Sequence, residues 1–236
     1  MKILLASPTR RTLLRFLAAT PLLGACRGPS PLQQADVRPV PSEGLPSELS
    51  APVLQVGTEW RYVMRSVLTG LTTEYVQFRV SAVGVDGYTI AAQSDQSGPF
   101  QVRVDRNLNP IRNRNVAFAP PYPRYAFPLT IGKAWRTEVR TTVTGQPDQG
   151  TLFQNVSGNV RGWERVTVPA GVFTALRIDL AITWRVSVEA SERGNSTESF
   201  WYSPEVRNAV FHHRTDYASG RVVTNDVVTE LESFGL

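Results

Sequence analysis

The sequence predicts an all-β fold: about ten to twelve antiparallel strands, joined mostly as hairpins, forming one curved sheet. Three observations lead there. Apolar residues recur at period two through most of the chain after Val53. Turn-forming clusters punctuate the runs at Asp86-Gly87, Gln96-Ser97-Gly98-Pro99, Asn107-Leu108-Asn109-Pro110, Gly145-Gln146-Pro147-Asp148, Arg193-Gly194-Asn195 and Ser219-Gly220. Apart from the first 25 residues, no window carries a 3.6-residue apolar stripe.

Residues 1–25 read as a leader, a signal helix with an address function. Lys2, Arg10, Arg11 and Arg15 precede an apolar run from Phe16 to Ala25. That run is too short for a bilayer-spanning helix, which needs about 20 residues, and has the length of a signal-peptide apolar region. It ends in Leu23-Gly24-Ala25-Cys26, which resembles the lipobox of bacterial lipoproteins. The resemblance implies cleavage after Leu23, Gly24 and Ala25, with lipid attached to Cys26. Thr9-Arg10-Arg11-Thr12-Leu13-Leu14-Arg15 resembles the twin-arginine export motif, with Leu13 for the usual Phe and Arg15 for the usual Lys. Paired arginines also occur in ordinary leaders, so the Arg10-Arg11 pair leaves both export routes open. Arg27, where inner-membrane lipoproteins tend to carry Asp, favours the outer membrane, facing the periplasm.

Composition narrows the function. The formal charge is +5, from 25 basic and 20 acidic residues. Cleavage removes four basic residues and no acidic one, leaving 21 against 20, a charge of +1. Nucleic acid is therefore not an expected partner. A single Cys excludes an intramolecular disulfide and any Cys-rich metal site.

Residues 26–52 carry six prolines and no periodicity. They read as a lipidated Cys followed by an extended tether. The β domain is expected over 53–236. Its clearest strand has Leu176, Ile178, Leu180, Ile182, Trp184, Val186 and Val188 on one face, with mostly polar residues between them. Trp60/Tyr62/Met64 and Val76/Phe78/Val80/Ala82 follow the same rule, and Val223/Val227/Leu231 less cleanly. An internal similarity divides the domain into halves of about 53–125 and 126–236. Val56-Gly57-Thr58-Glu59-Trp60-Arg61 matches Ile131-Gly132-Lys133-Ala134-Trp135-Arg136, and Val104–Ile111 loosely parallels Tyr202–Val210.

The second half resembles a widespread family of β-rich bacterial envelope proteins of uncharacterised function. Three stretches carry the resemblance: Pro128–Trp135, Val168-Pro169-Ala170-Gly171-Val172-Phe173 continuing to Ile178, and Phe200-Trp201-Tyr202-Ser203-Pro204-Glu205-Val206, where Arg207 stands in place of the usual Gly. It implies a strongly curved, half-open or incomplete barrel, similar to the periplasmic lipoprotein carriers and their outer-membrane receptor. It implies no catalytic residues and no cofactor.

The residues themselves offer little chemistry. His212 and His213 are neighbours, which on a strand point to opposite faces, so no metal site is expected. No hydrolase, phosphate-loop or dinucleotide motif is present. Glu189 and Glu192 flank a turn and read as solvated. The stiff segment Ala119-Pro120-Pro121-Tyr122-Pro123-Arg124-Tyr125 reads either as a pocket or docking element or as a linker between halves. The function expected is non-catalytic: an apolar ligand, a lipid or a lipidated protein held against Trp60, Tyr62, Phe78, Trp135, Leu176, Ile178, Ile182 and Trp184, residues that core packing would explain equally well. The alternative is a protein-interaction or structural accessory of an outer-membrane assembly.

Overall fold

The computed structural model describes residues 35–144, 151–187, 193–218 and 222–236. The leader, Arg10, Arg11, the Leu23–Ala25 cleavage site and Cys26 lie outside the described residues. Those described include thirteen strands: β1 Asp36–Pro39, β2 Glu59–Ser66, β3 Thr72–Val83, β4 Gly87–Ser94, β5 Gly98–Asp105, β6 Pro110–Asn113, β7 Val116–Ala119, β8 Ala134–Val143, β9 Leu152–Val168, β10 Gly171–Val186, β11 Arg193–Ser203, β12 Asn208–Tyr217 and β13 Val223–Gly235. All pairings are antiparallel.

Strands β2 to β13 pair in chain order, and β13 then pairs β2 from Val227↔Ser66 to Gly235↔Glu59. The sheet is therefore a closed up-and-down barrel of twelve strands, not the half-open one expected from the resemblance. Closure depends on β13, whose alternation is hard to read. A register shift between Leu231 and Ser233 breaks its period, and Val223 is exposed. A similar shift between Val80 and Ala82 puts Ala82 off the buried face of β3. Closure removes the free strand edges that an open sheet would present.

The expected tether is shorter than 26–52. From Asp36 the chain joins the sheet as β1, paired with Thr167–Glu164 at the end of β9. Val40 N–H continues the contact to Trp163 O at 3.0 Å, and Leu49 bridges Leu129. Pro39 is tolerated because it ends an edge strand, where its missing donor costs little.

The two matching hexapeptides fold alike. Gly57 and Gly132 both take positive φ, 98° and 83°, which a residue with a Cβ adopts only at a cost. Gly57 N–H donates to Val80 O and Gly132 N–H to Val160 O, each at 2.9 Å. Val80 N–H and Val160 N–H return bonds to Thr58 O and Lys133 O. Each indole then caps a distant carbonyl: Trp60 Nε1–H donates to Val206 O at 2.9 Å, and Trp135 Nε1–H to Pro123 O at 3.0 Å. Six strands follow from each of these turns, β2–β7 and β8–β13.

An eight-stranded barrel is just wide enough to be filled by its own side chains or to hold one small ligand. Twelve strands leave more room. The β7–β8 connection, residues 120–133, folds inward to occupy part of it. Tyr122 and Tyr125 on this segment are buried. The Tyr125 ring lies 6.0 Å from Phe200, 5.5 Å from Tyr202 and 5.5 Å from Phe127. The Asn109 side chain holds the segment by both polar atoms, donating to Tyr125 O and accepting from Tyr125 N–H. The Pro/aromatic segment is thus a connection between the halves and an interior packing element together.

Candidate functional site

What the inserted segment leaves unfilled is a cavity of about 420 Å3. Trp60, Tyr62 and Met64 from β2, Val76 and Phe78 from β3, Ile90 from β4, and Phe100, Val102 and Val104 from β5 form an apolar wall. Period-two alternation puts them there, since each strand contributes every second residue to the inside. Tyr62 Oη–H donates to Ala209 O at 2.8 Å, leaving its ring as the cavity surface. Phe78 meets Tyr62 and Phe100 edge-on at 6.0 and 6.2 Å. The cavity reaches the surface at one end of the barrel, where Glu74 and the exposed Asn113 and Arg114 line it. Arg114 Nη2 stands 3.7 Å from Glu74 Oε1, and its guanidinium lies 3.7 Å from the Phe100 ring centroid.

The rest of the lining is mixed: Arg124 from the inserted segment, Asn208 and His212 from β12, and with them Phe200, Ala209 and Phe211. The His212 ring stacks flat on Phe200 at 4.2 Å and 5°. The Arg124 guanidinium lies 5.0 Å from the same Phe200 ring centroid. Behind them Glu198, with its side chain 4% exposed, is surrounded by donors. Arg214 Nη1–H donates to its Oε1 at 2.6 Å and Tyr122 Oη–H at 3.2 Å, while His212 Nε2 stands 3.6 Å from its Oε2. Arg214 is further held by Asp216, which also accepts from Ser196 and Asn225.

This packing shifts the titration of both central groups. Burial pushes the Glu198 carboxyl up, but His212, Arg214 and Arg124 outweigh it and hold it below the ordinary range. Burial pushes His212 down. Glu198 offsets this only in part, and Arg124 and Arg214 push it further down, so the ring is held neutral. Burial raises the Tyr125 phenol to about 12. The signs define an acid response. As pH falls through about 6.5, the unfolded chain protonates this histidine and the folded one resists, so stability declines. Near pH 4 and below, Glu198 adds a second loss as it is protonated. Urea unfolding between pH 7.5 and 5 is expected to show stability falling with acid, by up to about 1.4 kcal/mol per pH unit for this one proton. His212→Gln should flatten that slope.

The structure separates the expected lining residues. Trp60, Tyr62 and Phe78 line the cavity. Leu176, Ile178 and Ile182 are fully buried in the packed core on the β10 side, away from it. Trp135 and Trp184 do not line it either. Each lies over the glycine paired with it on the next strand, Gly158 and Gly194, where an added Cβ would come within 2.2 and 2.5 Å of the indole. Aromatic cover of a sheet glycine explains both. Trp184 borders a shallow surface depression with Phe153, Asn155 and Arg185. His212 and His213 do face opposite ways: His213 Nε2 meets Asp226 Oδ1 at 2.6 Å outside the cavity wall. Sequence reading missed Arg124, Glu198 and Arg214 as one group. The available signal was Glu198 in step with Ser196, Phe200 and Tyr202, a charge on a dry face. Among the described residues, no three His, Cys, Asp or Glu side chains are grouped to hold a metal ion.

No protein-family model matches the chain, and no curated protein sequence matches it. Two crystal structures share the fold. One is an inferred lipoprotein from Parabacteroides distasonis, 18% identical, with a TM-score of 0.52 over 79% of this chain and 97% of that one. The other is an inferred exported protein with a YmcC-like fold from Bacteroides fragilis, 16% identical, with a TM-score of 0.52 over 80% of this chain and all of that one. At these identities the likeness is one of fold: an all-β antiparallel barrel found in bacterial proteins described as lipidated or exported.

Proposed function

We propose that the chain is a lipid-anchored envelope protein whose barrel binds a small apolar or amphipathic molecule without transforming it. The single observation that carries this is the cavity of about 420 Å3 with a wall of aromatic and aliphatic side chains. Its size falls low in the range of about 300–1,000 Å3 typical of small-molecule sites, which suits one chain better than a multi-chain lipid or a whole lipidated protein. The Leu23-Gly24-Ala25-Cys26 sequence supports the anchor; one fold neighbour is described as a lipoprotein and the other as exported. The alternative, an outer-membrane interaction accessory, draws on Val53, Val56 and Val85, which are 72, 64 and 90% exposed.

Native mass spectrometry of protein extracted from its own membranes tests both parts. Acyl mass on Cys26 is expected, and Cys26→Ser should abolish it. A small apolar molecule bound one-to-one is expected in addition, and Val102→Trp, which fills the cavity, should exclude it. Ligand-free protein, unchanged by Val102→Trp, would overturn the binding reading.

A further inference from the structure

Resting on that reading, we infer that the ligand is a single-chain amphiphile with a carboxylate head group, and that Arg124 receives the head inside the barrel. The lining is mostly apolar, with Trp60, Phe78, Ile90 and Phe100 among it, and a guanidinium, that of Arg124, is set into it. Arg124 is a half-buried cation in the lining whose field already acts on Glu198 and Tyr125. Its Nε is buried with no hydrogen-bond partner among the described residues. The nearby carboxylates are already engaged: Glu198 Oε1 accepts from Arg214 and Tyr122, and Asp216 accepts from Arg214, Ser196 and Asn225. The Phe200 ring at 5.0 Å supports the Arg124 guanidinium but accepts no full hydrogen bond from it.

A planar carboxylate matches the paired N–H groups of a guanidinium, and a cation set in an apolar lining favours an anionic guest. Arg124 stands on the segment folded in from one end, whereas the cavity reaches the surface at the other, at Asn113 and Arg114. The head therefore lies inside with the tail running toward the opening. A volume of about 420 Å3 admits one alkyl chain and not two.

The test uses the whole mature chain with Cys26→Ser, and N-phenyl-1-naphthylamine, a neutral fluorescent probe of the cavity. Laurate is expected to displace the probe at least tenfold more effectively than dodecanol or methyl laurate. Arg124→Met should weaken laurate at least tenfold more than it weakens dodecanol, and Arg124→Lys should fall between. Equal displacement by laurate and dodecanol on the unmodified cavity would overturn the carboxylate assignment and leave the binding reading standing. So would a laurate affinity untouched by Arg124→Met. Failure of the probe and every alkyl compound to bind would overturn the binding reading first. The comparison of laurate with dodecanol needs no Arg124 variant, so it decides the matter even if the variants do not fold.

Discussion

Glu198→Ala is expected to destabilise the barrel by about 3–5 kcal/mol, the usual cost of removing one partner of a buried ion pair. The loss exceeds the worth of the pair itself. Arg214 would keep Asp216, but the buried Tyr122 Oη would lose its acceptor and His212 its nearest anion. Arg124 and Arg214 would then face each other's field without the charge between them. In a chain of this size the change corresponds to a fall in Tm on the order of 10 °C. Two comparisons isolate the cause. Glu232→Ala removes an ion pair with the exposed Arg61 and should cost less than about 1 kcal/mol. Glu198→Gln, which keeps the shape and an acceptor for Tyr122, should cost less than Glu198→Ala. If Glu198→Ala matched the surface variant in calorimetry, the account of this cluster would fail.

Trp60→Ala carries a loss of similar size, about 3–5 kcal/mol. The ring is 1% exposed and closes the cavity wall, and its N–H holds Val206 O at 2.9 Å, 146 residues away. Removing it would enlarge an existing void and strand a carbonyl at the β11–β12 turn. Trp60→Phe keeps most of the packing and should cost about 1–2 kcal/mol, chiefly for the lost hydrogen bond. Trp135→Ala, at the equivalent position of the second half, should cost less than Trp60→Ala because that ring is only half-buried. Urea midpoints at constant m separate the three. Equal losses at Trp60 and Trp135 would contradict the difference in burial.

The strands were legible wherever the two faces of a strand meet different surroundings. In β10, Leu176, Ile178, Leu180 and Ile182 are all within 2% of full burial while Arg177 and Asp179 pair on the outer surface, so the alternation is plain. It fails where a bulge shifts the period, as at Ser81 and Glu232. The wall of the cavity was half legible. Trp60, Tyr62 and Phe78 line it, but the same period places Ile178 in solid core. Which inward residues meet space depends on where residues 120–133 fold, and that is a matter of tertiary packing. Arg124 was half legible for the same reason: its segment reads either as a pocket or docking element or as a linker, and only Asn109 and the Tyr125 ring contacts bring it inside. Closure of the ring was not legible because it rests on one pairing between the first and last barrel strands.

That one pairing also bears on the order of assembly. Eleven of the twelve seams join strands that follow each other in the chain and can form as local hairpins. The seam between β2 and β13 joins the first and last barrel strands and is completed only when Gly235 pairs Glu59. A nascent or truncated chain lacking β13 would be a gutter, with the inner face of β2 bare and an unpaired edge beside it. Such an edge recruits other strands, so β13 protects the chain against self-association as well as completing its wall.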